Sequence, residues 1–194
     1  MTSVAGTFIV SLAASIALTP AVRELARWWR IVDEPTARKV HAEVTPRAGG
    51  VAIYVAFMLA FLGALVWDAG TLQAIDLTRK TLALLVGGSV VFVLGLWDDV
   101  RSLPPTRKLV GQVVAALIAY LGGIEIVKVT VPGFEQVVLG WLAGPATILW
   151  FVLIVNALNL IDGLDGLATG ISLFTALVLL IVLDSSSHFL VMRP

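Results

Sequence analysis

Two adjacent carboxylates, Asp98 and Asp99, close an apolar stretch directly after Gly95-Leu96-Trp97. Side-by-side carboxylates at a membrane boundary repel one another and resist desolvation unless a cation compensates them. Magnesium suits such a pair, because it takes oxygen ligands, keeps several waters and is commonly held by one or two carboxylates plus substrate phosphates. The plainer reading is two solvated charges at a helix end, and for an isolated Asp pair it is the commoner one. Arg101, Arg107 and Lys108 shift the balance, since cations a short loop away can bind diphosphate oxygens around the same ion.

A second constellation is Asn156-Ala-Leu-Asn159-Leu-Ile-Asp162-Gly-Leu-Asp165-Gly166. Asn156, Asn159, Asp162 and Asp165 recur every third residue, which aligns them on one face if the preceding helix continues. Gly163 and Gly166 interrupt that helix and let backbone approach a ligand. The bland alternative is a polar interhelical turn with Asn and Asp capping. Polar clusters abutting apolar runs at a membrane are functional hypotheses by default. A third stretch, Arg38-Lys39-Val40-His41 through Thr45-Pro46-Arg47 to Gly49-Gly50, is a basic loop whose glycines open the next helix. It fits an anion at a helix start as well as it fits ordinary juxtamembrane charge. His188 reads as surface, and Gln112 as a residue satisfying a neighbouring helix.

The elements that must position these groups are transmembrane helices. The 194 residues are 59% hydrophobic and 13% charged, far from the roughly 25% charged of soluble domains. Six stretches approach the ~20 apolar residues a bilayer requires: 4–22, 50–67, 81–97, 109–124, 138–157 and 167–183. The expectation is an all-α polytopic helical bundle forming one integral membrane domain over 1–194. The first stretch reads as a retained helix, because Arg23, Arg27 and Arg30 follow it and nothing basic precedes it. Trp28 and Trp29, expected just past this helix, suit headgroup level. The absence of cysteine excludes disulfides, thiolate metal sites and a cysteine nucleophile.

Formal net charge is zero, so no whole-chain field favours nucleic acid. Its distribution is informative. Alternating helices put residues 23–49, 98–108 and 158–166 on one side, with Arg23, Arg27, Arg30, Arg38, Lys39, Arg47, Arg101, Arg107 and Lys108. The other side receives only Arg79, Lys80, Lys128 and Arg193. The positive-inside rule makes the first set cytoplasmic and the N-terminus external. All three polar stretches fall in that first set, which predicts one shared site.

With these residues assembled, the chain resembles the polyprenyl-phosphate N-acetylhexosamine-1-phosphate transferases. The resemblance runs from about residue 35 to 170 and rests on the basic loop, on Gly95-Leu96-Trp97-Asp98-Asp99 with Leu103, Pro104, Lys108-Leu109 and Gln112, and above all on Asn156 to Ala168. It implies transfer of a sugar-1-phosphate from a UDP-sugar to polyprenyl phosphate with release of UMP, at a site on the cytoplasmic face of the bacterial inner membrane. Asp98 and Asp99 match the catalytic acidic pair, while Asn159, Asp162 and Asp165 match the nucleotide pocket and Lys108 a basic residue near the phosphates. His41 and Arg47 join the expected substrate-binding set, and the expected metal set is Asp98, Asp99, Asn156 and Asn159. Magnesium is the expected cofactor and manganese the alternative ion. The expected partners are the two substrates and the lipid bilayer, with a homodimer left open and no nucleic acid.

His41 with Thr45-Pro46-Arg47 is similar to the branch that begins teichoic acid, O-antigen or arabinogalactan-type polymers and favours UDP-N-acetylglucosamine as donor. The alternative is the phospho-MurNAc-pentapeptide branch, which usually has Thr at the Arg47 position. Family members are longer and carry a third catalytic Asp and a histidine-rich loop beyond this point, so the chain is expected to be the N-terminal part of such an enzyme. CDP-alcohol phosphotransferases also use Asp-Gly repeats, but their pattern wants an Arg soon after the first, and Thr169 follows Leu167-Ala168 here. A transporter half with an ion site would spread its acids along helix middles, whereas these cluster towards one side.

Overall fold

In lipid every backbone N–H and C=O must find a partner within its own segment or sheet, so long apolar runs have little choice but to become helices. The computed structural model describes residues 2–33, 45–67, 78–130, 133, 136–162 and 166–191. These form helices α1 (Thr2–Trp28), α2 (Gly50–Trp67), α3 (Arg79–Val100), α4 (Pro105–Leu121), α5 (Ala143–Ile161) and α6 (Leu167–Val191). Two antiparallel ribbons join them: β1 (Val32–Asp33) with β2 (Thr45–Pro46), and β3 (Lys128–Val129) with β4 (Val137–Val138). Among the described residues, Gly6–Trp28, Arg79–Val100 and Gly140–Ile161 are long and apolar enough to cross a membrane, and Gly50–Val66 and Leu167–Val182 are shorter apolar helices. The protein is an all-α polytopic membrane protein, as its composition predicts.

The chain divides within α5 into two compact units, Met1–Ile148 and Leu149–Pro194. In the first, α1 packs on α2 and α3 on α4. α2 buries Ala52, Ala56, Ala60 and Ala64, one per turn. Such a stripe lets two backbones approach where apolar association with lipid offers no driving force of its own. α3 and α4 meet in the same way, as an antiparallel hairpin. A Cβ on Gly87 would lie 3.0 Å from the Ala115 carbonyl oxygen, one on Gly111 would lie 2.8 Å from Leu94, and one on Gly122 would overlap Ala83. Gln112 lies on this buried face with Ala115, Ala116 and Ala119, in keeping with its expected place at a helix contact. α2 is clamped to α3 by Tyr54, which stacks on Phe92 with centroids 3.9 Å apart, and whose hydroxyl is 2.6 Å from Ser89 Oγ. The start of α5 is held by Tyr120, lying over Gly144, and by Thr147, whose buried hydroxyl accepts the Ile126 N–H at 2.8 Å and donates to the Ala143 carbonyl at 2.6 Å. In the second unit, α6 follows a turn at Gly166, whose φ of 76° is a conformation that favours glycine.

Several element boundaries differ from the sequence expectation, among them the start of α5 at Ala143 rather than 138 and the end of α6 at Val191 rather than 183. α4 begins at Pro105 rather than 109, because Pro is preorganised for a first helical turn and hydropathy does not register the polar residues Thr106, Arg107 and Lys108. α3 runs to Val100, beyond the apolar stretch that ends at 97, so Asp98 and Asp99 lie in its last turn, in keeping with their expected place at the close of this helix. α1 extends through Trp28, with only Trp29 beyond it.

The glycine contacts separate two neighbours on α3. Gly87→Leu should lower stability by about 1–3 kcal/mol through overpacking against α4. Gly88→Ala, with nothing within 4 Å of its Cβ, should be neutral or stabilising by up to ~1 kcal/mol. Thermal unfolding in detergent, followed by circular dichroism, checks the order.

Candidate functional site

Successive helical residues point about 100° apart, so the acidic pair at the end of α3 does not act as one double charge. Asp98 faces the loop into α4. Its Oδ1 accepts the Leu103 N–H at 2.8 Å, and its Oδ2 pairs with Lys108 Nζ at 2.5 Å. Lys108 reaches it from the first turn of α4, which the Pro104-Pro105 start places beside the end of α3. Asp99, about 100° round the helix, takes a separate partner. Its Oδ2 accepts the backbone N–H of Ala48 at 3.1 Å, across 51 positions in sequence.

Ala48 is the pivot of the second contact. The Arg47 N–H bonds the Ile31 carbonyl at 2.9 Å, continuing the β1–β2 ribbon, and the Ala48 carbonyl accepts from Val51 to begin α2. Between them the chain must turn sharply, and Ala48 does so at φ 67° while buried. A left-handed alanine costs roughly 1–2 kcal/mol, held here by the bond to Asp99. The same turn sets Arg47 directly before the N–H that Asp99 holds. The site in this unit is therefore the paired Asp98 and Lys108 with Asp99 bonded to the N–H after Arg47, at the junction of three segments. The Asp98 and Lys108 side chains are 27% and 32% exposed, so they remain open to solvent or a ligand. Arg101 and Arg107 stand exposed beside them in sequence.

The donor chemistry suits a hard divalent ion. Carboxylate oxygens keep further lone pairs after one hydrogen bond. No group of three Asp, Glu or His gathers among the described residues. A magnesium ion here would complete its shell from water and substrate phosphate, its common habit.

In the second unit, Asn156 and Asn159 are exposed on the last turns of α5, and Asp162 follows in a turn whose N–H bonds the Leu158 carbonyl at 3.0 Å. The Asn156 amide donates to the Val152 carbonyl of its own helix at 2.8 Å. That bond continues the helical pattern of α5, which ends at Ile161, by one residue to Asp162. Asp165 and His41, like Arg38 and Lys39, lie outside the described residues. Ala48 and Leu103 were not anticipated: both contribute only backbone N–H groups, which leave no trace in residue type.

Residues 81–193, a range holding the acidic pair, Lys108 and the whole Asn156–Gly166 run, match the family described as Glycosyl transferase family 4, and the chain belongs to that family. Over 166 residues it is 40% identical to the "Probable undecaprenyl-phosphate N-acetylglucosaminyl 1-phosphate transferase" of Bacillus subtilis (strain 168), covering 85% of this chain and 44% of the relative. It is 35% identical over 161 residues to the decaprenyl-phosphate N-acetylglucosaminephosphotransferase of Mycolicibacterium smegmatis (strain ATCC 700084 / mc(2)155), covering 81% and 39%. A more distant relative, the phospho-N-acetylmuramoyl-pentapeptide-transferase of Limosilactobacillus reuteri (strain DSM 20016), is 30% identical over 151 residues, covering 71% and 43%. The chain spans less than half the length of these curated relatives. No solved structure matches it.

Two substitutions probe the site's construction. Asp98→Asn and Lys108→Met should show a coupling energy on the order of 1 kcal/mol in a double-mutant cycle of thermal stability. Ala48→Gly should raise stability by about 1 kcal/mol in the same assay by relieving the left-handed turn.

Proposed function

We propose that the protein transfers a sugar-1-phosphate, GlcNAc-1-phosphate in the first instance, from a UDP-sugar to a polyprenyl phosphate such as undecaprenyl phosphate, releasing UMP. One observation carries this reading: in a chain of glycosyl transferase family 4, the end of α3 pairs Asp98 with Lys108 and bonds Asp99 to the turn that follows Arg47. In the reaction, a phosphate oxygen of the lipid attacks the phosphorus bonded to the sugar. The bond from that phosphorus to the bridging oxygen breaks, and UMP leaves with the electron pair. Little covalent work falls to the protein, which must hold two anions together and balance their charge. Arg47 and Lys108 can do so at phosphate oxygens. Lys108 would then exchange part of its contact with Asp98 for the substrate, leaving that carboxylate placed to hold a metal or to take a proton from the lipid phosphate.

Magnesium, with manganese as the alternative, would be held by Asp98 and Asp99 and would supply neutralisation of the developing phosphate charge. Asn156 and Asn159 are the further ligands proposed from the sequence. Asn159, Asp162 and Asp165 are proposed to recognise the nucleotide, and His41 to assist at the phosphates. The positive-inside asymmetry favours the Asp98–Asp99 end of α3 facing the cytoplasm in the bacterial inner membrane, with the N-terminus outside. A homodimer is compatible with this reading. The second reading, transfer of phospho-MurNAc-pentapeptide, has its support in the relative of that name at 30% identity, against 40% for the GlcNAc-1-phosphate transferase relative.

The test is UMP release from UDP-GlcNAc by the membrane-embedded protein supplied with undecaprenyl phosphate. Release should need magnesium and fall by at least about 100-fold in Asp99→Asn, the scale for loss of one charge-stabilising group. Asn159→Ala should raise KM for the UDP-sugar more than it lowers kcat. Release undiminished by chelation or by Asp99→Asn would sink the proposal, and faster turnover with UDP-MurNAc-pentapeptide would favour the second reading.

A further inference from the structure

The β3–β4 ribbon lies at the other end of the α3–α4 hairpin from the acidic layer. α4 runs 17 residues from Pro105 to Leu121, so at 1.5 Å per residue its far end lies about 20 Å from Lys108, most of the way across a hydrocarbon core of roughly 30 Å. Arg79 and Lys80, at the start of α3, mark that end. Arg79 Nη2 donates to the Leu121 carbonyl at 2.6 Å, and the Lys80 stem lies beside Gly123. The ribbon does not stand clear of the helices. The Ile126 N–H, immediately before its first strand, bonds Thr147 Oγ1. Thr147 lies seven residues inside the apolar span that opens at Gly140, which is about 10 Å along the helix. The base of the ribbon is therefore pinned below the end of a membrane-crossing helix.

Its composition fits that depth. Val129 and Val137 are directly paired across the strands, and the Leu139 N–H to Val127 carbonyl bond at 2.9 Å continues the ladder by one pair. Alternation puts Val127, Val129, Val137 and Leu139 on one face, while the Lys128–Val138 pair occupies the other. Val127, Val129 and Val137 are exposed, and Trp141, at the start of the helical span, is 84% exposed. The paired strands satisfy their backbone groups internally, as an element in contact with lipid must, and tryptophan at the end of a span is an interfacial residue.

We propose that the valine face of this ribbon, with Trp141, is seated in the bilayer interface and anchors the protein laterally in the lipid at the end opposite the acidic layer. The occupant of the face is lipid, since the bond to Thr147 sets its depth and the helical span continues directly from it.

The chain has no cysteine, so single nitroxide labels report unambiguously. The full chain carrying Val129→Cys, and separately Val137→Cys from the facing strand, is labelled and reconstituted in phosphatidylethanolamine–phosphatidylglycerol vesicles. Collision rates with oxygen and with a water-soluble nickel chelate are measured, with Lys128→Cys as the label on the other face. Lipid contact predicts oxygen access exceeding nickel access several-fold at Val129 and Val137, with the ratio falling at Lys128. Access to both reagents at Val129 and Val137 would place the face in water and overturn the proposal. Protection from both would mean that protein, a second copy or another segment, covers it, and would overturn it equally. Quenching of tryptophan fluorescence by brominated lipid, reduced in Trp141→Phe relative to the parent, is the independent second reading.

Discussion

The divergence of two neighbouring carboxylates at the end of α3 is the constraint on which the acidic layer depends. Because Asp98 and Asp99 occupy successive helical positions, each must find its own partner, and the partners come from opposite directions in the chain. Asp98 fixes the short loop into α4 through one backbone N–H and one lysine. Asp99 fixes the turn into α2 through another N–H. A single helical turn thereby sets the entry of two further helices and holds both Lys108 and the turn that follows Arg47. Without these bonds the left-handed Ala48 would have no compensation for its strain.

That arrangement is possible only because the helices approach closely enough for short side chains to span between them. Alanine on α2 and the glycine–alanine contacts between α3 and α4 set that closeness. Small residues here replace the apolar driving force that a soluble protein would use. The contact of Tyr54 with Phe92 and Ser89 is the larger, more specific clamp, and it joins α2 to the same helix that carries the acidic pair. Packing and chemistry thus share α3.

Much of the fold was legible in the residues because lipid removes alternatives. Long apolar stretches have to be helical, so six helices could be placed, with the ends of α1 and α6 and the start of α5 displaced by five to eight residues. One displaced boundary falls where hydropathy says little, at the Pro104-Pro105 start of α4, governed by proline geometry; Asp98 and Asp99 close α3 as expected, their carboxylates bonded across the chain. The candidate site was legible wherever a charged side chain carries it, as with Asp98, Asp99, Arg47 and Lys108. It was hidden where a backbone group does. Neither Ala48 nor Leu103 differs in type from dozens of apolar neighbours, and only a long-range contact reveals their role.

Sequence by itself determined membrane class, helix number, family resemblance and the identity of the charged groups, because each depends on residue type and local order along the chain. Tertiary structure decided which of those charges meet. It gave Lys108 to Asp98 and the Ala48 N–H to Asp99, and tied the β3–β4 ribbon to α5 through Thr147. Those outcomes depend on distances between residues as many as 51 positions apart, and such distances exist only once the helices have packed.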